Sequence, residues 1–238
     1  MKNIKALIVA AGRGSRLGAI TTETPKPLVK VNGEPLLKRS IEILSSFGVD
    51  DITVVVGYKA ELIKNSLPKN IKYVTNPEYE YTNNLMSMYY GSKNVIGSNF
   101  LYLHSDIWYD PRIIKKVLKQ RDNITFMVDQ KLCQEEEMKL KIKNNIVAEA
   151  DKNIPPSESL GEWLGITKFS IEGGISYINE IKSVASPKNN SYDCSVVKNL
   201  FLKGIDVNWS GVGKYPWIEI DFIEDLKEAE KLSRKNIL

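Results

Sequence analysis

Ala6-Leu7-Ile8-Val9-Ala10-Ala11-Gly12-Arg13-Gly14-Ser15-Arg16-Leu17, with Pro25-Lys26-Pro27-Leu28 beginning nine residues after Arg16, is the stretch that decides the fold of this chain. An apolar run that stops at glycines reads as a buried strand, and the small residues after it let backbone amides approach a ligand. Gly12 and Gly14 carry no Cβ penalty at positive φ, so successive N–H groups are expected to point into one concavity and hold an anion. Arg16 and Lys26 add positive charge beside it, and a proline on each side of Lys26 restricts its backbone. The expected ligand is a polyphosphate, with Ala10, Ala11, Gly12, Gly14 and Ser15 around it.

Two common phosphate loops do not match. A dinucleotide fingerprint needs a third glycine where this chain has Leu17, and a P-loop needs Gly-Lys-Ser/Thr, which follows neither Gly12 nor Gly14. A mere strand-to-helix turn with a basic loop would have no need of the later Pro-Lys-Pro.

The 238 residues suffice for a full core, and 42% hydrophobic with 26% charged residues is ordinary for a globular protein. A single domain is expected, with 1–123 as one half, carrying the glycine loop, and 124–238 as the other. Thirty-three basic against 29 acidic residues leave a net charge of +4, too little and too dispersed to argue for nucleic acid. Cys133 and Cys194 lie far apart without a metal-binding spacing, so free thiols in a reducing compartment are expected. No apolar run approaches the roughly 20 residues of a membrane span, and the N-terminus leads straight into a strand. No membrane partner and a cytoplasmic location are therefore expected.

After the loop, apolar residues at 36, 37, 41 and 44 mark a helix stopped by Gly48, and Ile52-Thr53-Val54-Val55-Val56-Gly57 completes a β-α-β unit. Both strands are almost continuously apolar, as strands covered on both faces must be, which predicts a buried parallel sheet. Ala60 to Leu67 reads as a second crossover helix and Ile71 to Val74 as a third strand. The stretch from Tyr81 to Gly91 opens with cap-type residues and reads as a helix whose amino end can face a ligand. Phe100 to His104 is another buried strand, followed by Asp106. Asp110-Pro111 starts a helix with a capping Asp and Pro in the first turn.

From Ile124 the pattern shifts to a strand, then a hairpin from Met138 around Asn144-Asn145, then a strand from Gly161 to Phe169 whose glycines mark close backbone approach. Helices near 175–181 and 192–202, the strand Trp217 to Asp221 and a helix from Glu224 to Leu232 complete the reading. The fold class expected is α/β: a Rossmann-like mixed, mostly parallel sheet flanked by helices, with a small hairpin and helical acceptor-binding lobe.

Asp106 and Asp221 each end an apolar strand, where an unpartnered charge is costly. A hard cation such as Mg²⁺, which takes one or two carboxylates plus phosphate oxygens, is a fitting partner. The small-small-Gly-x-Gly-x-Arg-Leu and Pro-Lys-Pro-Leu elements, with Asp106 and Glu219-Ile220-Asp221, resemble the nucleotidyltransferases that activate sugar phosphates and phosphocholine. The resemblance covers nearly the whole chain and is closest over residues 4 to 60. It implies a GT-A-like fold and transfer of a nucleotidyl group with loss of pyrophosphate. It further implies that Arg16 and Lys26 are catalytic, that Asp106 and Asp221 hold Mg²⁺ with help from Glu219, and that Asn83, Asn84 and Ser87 lie beside the base or the acceptor. Gly18-Ala19 departs from relatives that carry proline there, and His104-Ser105-Asp106 departs from the Gly-Asp of sugar-activating members.

The expected partners are CTP and a small phosphorylated acceptor such as phosphocholine, an aminoalkylphosphonate or a phosphoglutamine-like amide, for decoration of a surface polysaccharide or lipid. Glu162, Trp163, Tyr192, Trp217 and Glu219 are expected to clamp the acceptor's nitrogen end. A sugar-1-phosphate nucleotidyltransferase and a non-catalytic nucleotide-binding protein are the alternatives, a dimer is one option for assembly, and His104, the only histidine, is expected to be structural or to donate a hydrogen bond to a residue of the site instead of acting as a base.

Overall fold

The computed structural model describes residues 4–235. The first strand, β1 (Lys5–Ala10), leads through the glycine loop into a short helix, α1 (Ala19–Glu23), and a small ribbon, β2 (Lys30–Val31) and β3 (Glu34–Pro35). Helix α2 (Leu36–Ser46), strand β4 (Asp51–Val56), helix α3 (Ala60–Ser66) and strand β5 (Lys72–Thr75) then form crossovers of the βαβ kind between parallel strands. Helix α4 (Asn84–Ser92) follows, then β6 (Phe100–His104), β7 (Ile107–Tyr109) and α5 (Pro111–Leu118).

The second half supplies β8 (Ile124–Asp129), the hairpin β9 (Lys139–Lys143) and β10 (Ile146–Asp151), and the long β11 (Glu162–Phe169). Helices α6 (Ile171–Val184) and α7 (Val197–Leu202), strands β12 (Asn208–Gly211) and β13 (Trp217–Glu219), and helix α8 (Ile223–Lys235) complete it.

One nine-stranded sheet joins both halves in the order β10-β9-β11-β6-β1-β4-β5, with β8 and β12 branching from β11. Strands β6, β1, β4 and β5 run parallel, whereas β11 lies antiparallel to β6. The alternation along β1 shows why the parallel strands are apolar throughout. Ile8 faces a core cluster with α2 and α5, and Leu7 faces a second cluster with α4, α6 and α7. Asn144 and Asn145 both adopt positive φ, 53° and 62°, as a tight hairpin turn requires. Both cysteines are free and buried. Among the described residues, no helix is long and apolar enough to cross a membrane.

Several boundaries differ from the sequence reading. Of the two loop glycines only Gly14 takes positive φ, at 67°. The helix expected from Tyr81 begins at Asn84, because Tyr81 and Thr82 close a turn onto Glu78. The segment from residue 192 is a 3-10 turn at Asp193–Val196 before a six-residue helix. The strand expected at Trp217–Asp221 stops at Glu219 and pairs with β7 outside the main sheet.

Candidate active site

The carboxyl ends of β1, β5 and β6 open into one cleft, the place where open α/β sheets put their ligands. At its floor Lys26, 7% exposed in a 3-10 turn between its two prolines, donates to Asp106 Oδ2 at 2.7 Å and to Asp221 Oδ1 at 2.6 Å. Gly14 makes this approach feasible, since a Cβ there would fall 2.6 Å from Lys26 Cβ. Arg16, in the first turn after the loop, donates from Nη1 to Asp221 Oδ2 at 2.8 Å.

Asp106, Glu219 and Asp221 bring carboxylate oxygens within 4.8 Å of one another. Burial would raise Asp106, yet Lys26 and His104 outweigh it and hold the carboxyl below its ordinary range. Burial of Lys26 likewise opposes its charge, and Asp106 and Asp221 more than restore it. Glu219 is pushed up to about 7 by burial and by the negative charge of Asp106. One buried oxygen, Asp106 Oδ1, has no hydrogen-bond partner. Three converging carboxylates with an unsatisfied inward oxygen are a donor set that suits a hard divalent cation.

The first cavity of the cleft has a volume of 180 Å³. Ala10, Ala11, Gly12 and Gly14 line it with Asn83, Asn84 and Ser87. Ser15 does not join them; it is exposed, and its carbonyl closes the turn onto Gly18. Asn83 caps α4 by accepting from the Asn84 amide, and Ser87 is 4% exposed and accepts from Asn76 Nδ2 at 3.1 Å.

Beside it lies a second cavity of 250 Å³, where Arg16, Asp106, Glu219 and Asp221 meet Trp163 and Tyr192. The two cavities share Asn83, Asn84, His104 and Asp106. Asn84 Oδ1 accepts from the Asp193 amide at 3.0 Å, and His104 Nε2 lies 3.0 Å from Asp193 Oδ2. Burial alone would lower the imidazole, but the buried Asp193 carboxylate overrides it and raises His104 to about 9. Trp163 is 4% exposed, stacks on Phe126 and donates to the Ile166 carbonyl, so only an edge of it reaches the cavity.

Glu162 and Trp217 do not join this group. They line an adjoining cavity of 380 Å³, where the ammonium of Lys131 lies 2.8 Å from Glu162 Oε2, 2.9 Å from Glu137 Oε1 and 5.7 Å from the Trp217 ring. The indole N–H of Trp217 donates to Asp129 at 3.1 Å. The expected five-residue clamp is thus divided, because β11 turns successive residues to opposite faces and Lys131 already fills the carboxylate and aromatic half of it.

Sequence reasoning missed Asp193, Glu136 and Lys152, which stand at this site from segments without any motif. A profile of the MobA-like NTP transferase domain matches residues 6–136. The chain belongs to this family. Its members transfer nucleotidyl groups, and the glycine loop, Lys26 and Asp106 all lie within the matched region.

Over 94% of this chain and 98% of the other, the sequence is 24% identical to the CTP:phosphoglutamine cytidylyltransferase of Campylobacter jejuni. It is 42% identical over 87 residues to the choline-phosphate cytidylyltransferase of Streptococcus pneumoniae, a match spanning 36% of this chain and 38% of that protein. The fold is that of the inositol-1-phosphate CTP transferase of T. maritima, with a TM-score of 0.80 and 22% identity over 98% of this chain and 97% of that one.

Proposed function

We propose that this nucleotidyltransferase couples CMP from CTP to a small, nitrogen-bearing phosphorylated acceptor and releases pyrophosphate, yielding an activated building block for a surface polymer or lipid. The observation that carries the reading is Lys26 bridging Asp106 and Asp221 beside the glycine loop, between the 180 Å³ cavity, which we assign to the nucleotide, and the 250 Å³ cavity, which we assign to the acceptor. The choice of CTP draws support from the cytidylyltransferase relatives.

In the proposed reaction an acceptor phosphate oxygen attacks the α-phosphorus of CTP, a new P–O bond forms, and the α–β anhydride bond breaks with its electron pair leaving on pyrophosphate. The acceptor oxygen is already ionised at neutral pH, so no general base is required. Positioning and charge neutralisation carry the rate. Lys26 and Arg16 supply fixed positive charge beside the oxygens where negative charge accumulates. Asp106 and Asp221, with Glu219, are the residues that would hold Mg²⁺, which when bound offsets charge on the triphosphate. His104, tied to Asp193 and Asn84, shapes the wall between the two cavities.

A thermal-shift screen of the four ribonucleoside triphosphates, each with and without Mg²⁺, tests the nucleotide, and pyrophosphate release tests the transfer. The expected result is Mg²⁺-dependent stabilisation by CTP, with faster release for amino-bearing phosphates than for glucose 1-phosphate. Stabilisation by none of them overturns the reading. Binding without release under any acceptor marks a non-catalytic nucleotide-binding protein, and a tenfold advantage for glucose 1-phosphate assigns the enzyme to sugar activation.

A further inference from the structure

Lys152 lies in the turn after β10 and lines the acceptor cavity, with its ammonium 5.4 Å from the centroid of the Tyr192 ring. Its carboxylate contact is Glu136 Oε2 at 3.8 Å, too long for a hydrogen bond, and among the described residues the ammonium makes no hydrogen bond at all. The same Glu136 oxygen lies 3.7 Å from Arg16 Nη2. Glu136 is 77% exposed, so swinging it aside disturbs nothing packed. The cavity wall therefore presents two cations around a loosely held carboxylate, with the aromatic face beneath one of them already taken by a cation.

This arrangement is unfavourable for a quaternary ammonium. Such a group would have to share the face of Tyr192 with Lys152, and like charges in a partly desolvated cleft repel. A carboxylate, by contrast, replaces Glu136 and gives Lys152 the charge-assisted hydrogen bond it lacks. We propose that Lys152, seated on Tyr192, recognises a carboxylate on the acceptor's tail, so that the acceptor is an amino-acid-like phosphate or phosphonate instead of a choline-like one. The inference rests on the nucleotidyl-transfer reading above and specifies its substrate class.

The test uses the full chain with CTP and Mg²⁺ and two matched acceptor pairs that differ only by a carboxylate: O-phosphoserine with phosphoethanolamine, and 2-amino-4-phosphonobutyrate with 3-aminopropylphosphonate. Phosphocholine is the fifth acceptor. In at least one pair kcat/KM is expected to favour the carboxylate by on the order of tenfold to a hundredfold, the size that one hydrogen bond to a charged group confers. Lys152→Gln should remove that preference mainly through KM, Lys152→Arg should retain most of it, and Glu136→Gln should lower KM for the carboxylate acceptors.

Absence of a carboxylate preference in both pairs, or a faster reaction with phosphocholine, overturns the inference. So does an equal loss on all acceptors in Lys152→Gln, which would place Lys152 on the phosphate. CTP stabilisation without turnover of any carboxylate acceptor overturns the acceptor assignment alone, whereas no stabilisation by any triphosphate overturns the nucleotidyl-transfer reading as well. Matching thermal unfolding of both Lys152 variants and the parent excludes a folding defect as the cause of a loss.

Discussion

At Gly14 a single methyl group separates a working site from a displaced one. The residue sits at φ 67°, and a Cβ would lie 2.6 Å from Lys26 Cβ and 2.8 Å from Lys26 Cδ. Gly14→Ala is therefore expected to move Lys26 off the Asp106 and Asp221 oxygens and to lower turnover in the same direction as Lys26→Ala. For Lys26→Ala itself we expect a loss on the order of 10² to 10³ in kcat, with a smaller change in CTP affinity, because its charge acts most strongly as negative charge develops. Steady-state kinetics with a parallel CTP titration checks both variants, and full turnover in Gly14→Ala would show that Lys26 gives way freely. Asp221→Asn leaves Lys26 with the Asp106 carboxylate and Arg16 with only its 3.7 Å contact to Glu136. A titration of activity against Mg²⁺ should then show no saturating requirement, together with loss of turnover; normal turnover would reduce Asp221 to an anchor for Arg16.

Helix α5 shows the same logic at the scale of an element. Asp110 is 3% exposed, its Oδ1 accepts from the Arg112 amide at 2.8 Å, and its own amide donates to the Pro216 carbonyl, so one residue caps the helix and ties it to β13. Loss of a cap of this kind costs about 1 kcal/mol, which is the expected destabilisation in Asp110→Ala. Hydrogen bonds from Arg112 hold the carboxyl below its ordinary value. The folded-state pKa is thus depressed relative to the unfolded chain, near 3.9, so the ionic part of the stabilisation is complete above that pH and is lost as pH falls through the folded value. Urea unfolding of parent and variant at pH 7 and pH 3 should show a gap that narrows in acid. A gap of constant size would assign the whole effect to geometry.

Across the whole molecule, the two halves are fastened at His104 and Asp193. Asp193 is 1% exposed, receives the Cys194 amide on Oδ1, faces His104 with Oδ2, and its carbonyl accepts from the Tyr177 hydroxyl at 2.9 Å. Next to this junction Gly165, at φ 73°, allows β11 to break register between Trp163 and Thr167; a Cβ there would meet the His104 ring at 2.6 Å. Removing one partner of a buried charge pair costs on the order of 3 kcal/mol, so Asp193→Asn should unfold at a temperature lower by roughly 6–12 °C in a chain of this length. Differential scanning calorimetry checks it, and a shift below about 2 °C, under 1 kcal/mol for such a chain, would show that His104 carries no charge that needs a partner.

The glycine loop, the parallel apolar strands, the stop at Gly48 and the Asp110-Pro111 helix start were all legible in the sequence, because each rests on neighbours within a few residues along the chain. Asp106 and Asp221 could be singled out for the same reason: a charge at the end of an apolar strand is a local anomaly. Sequence could not show that Glu162 faces Lys131 while Trp163 faces the site, since one residue of register in β11 inverts both. Nor could it bring Arg16, Glu136 and Lys152 together. Those three are set by the antiparallel insertion of β11 between β6 and β8 and the β9–β10 hairpin beyond it, contacts between segments far apart in sequence. Local propensity thus determined that a glycine loop and paired acids exist, and sheet order alone decided which charges face the 250 Å³ cavity.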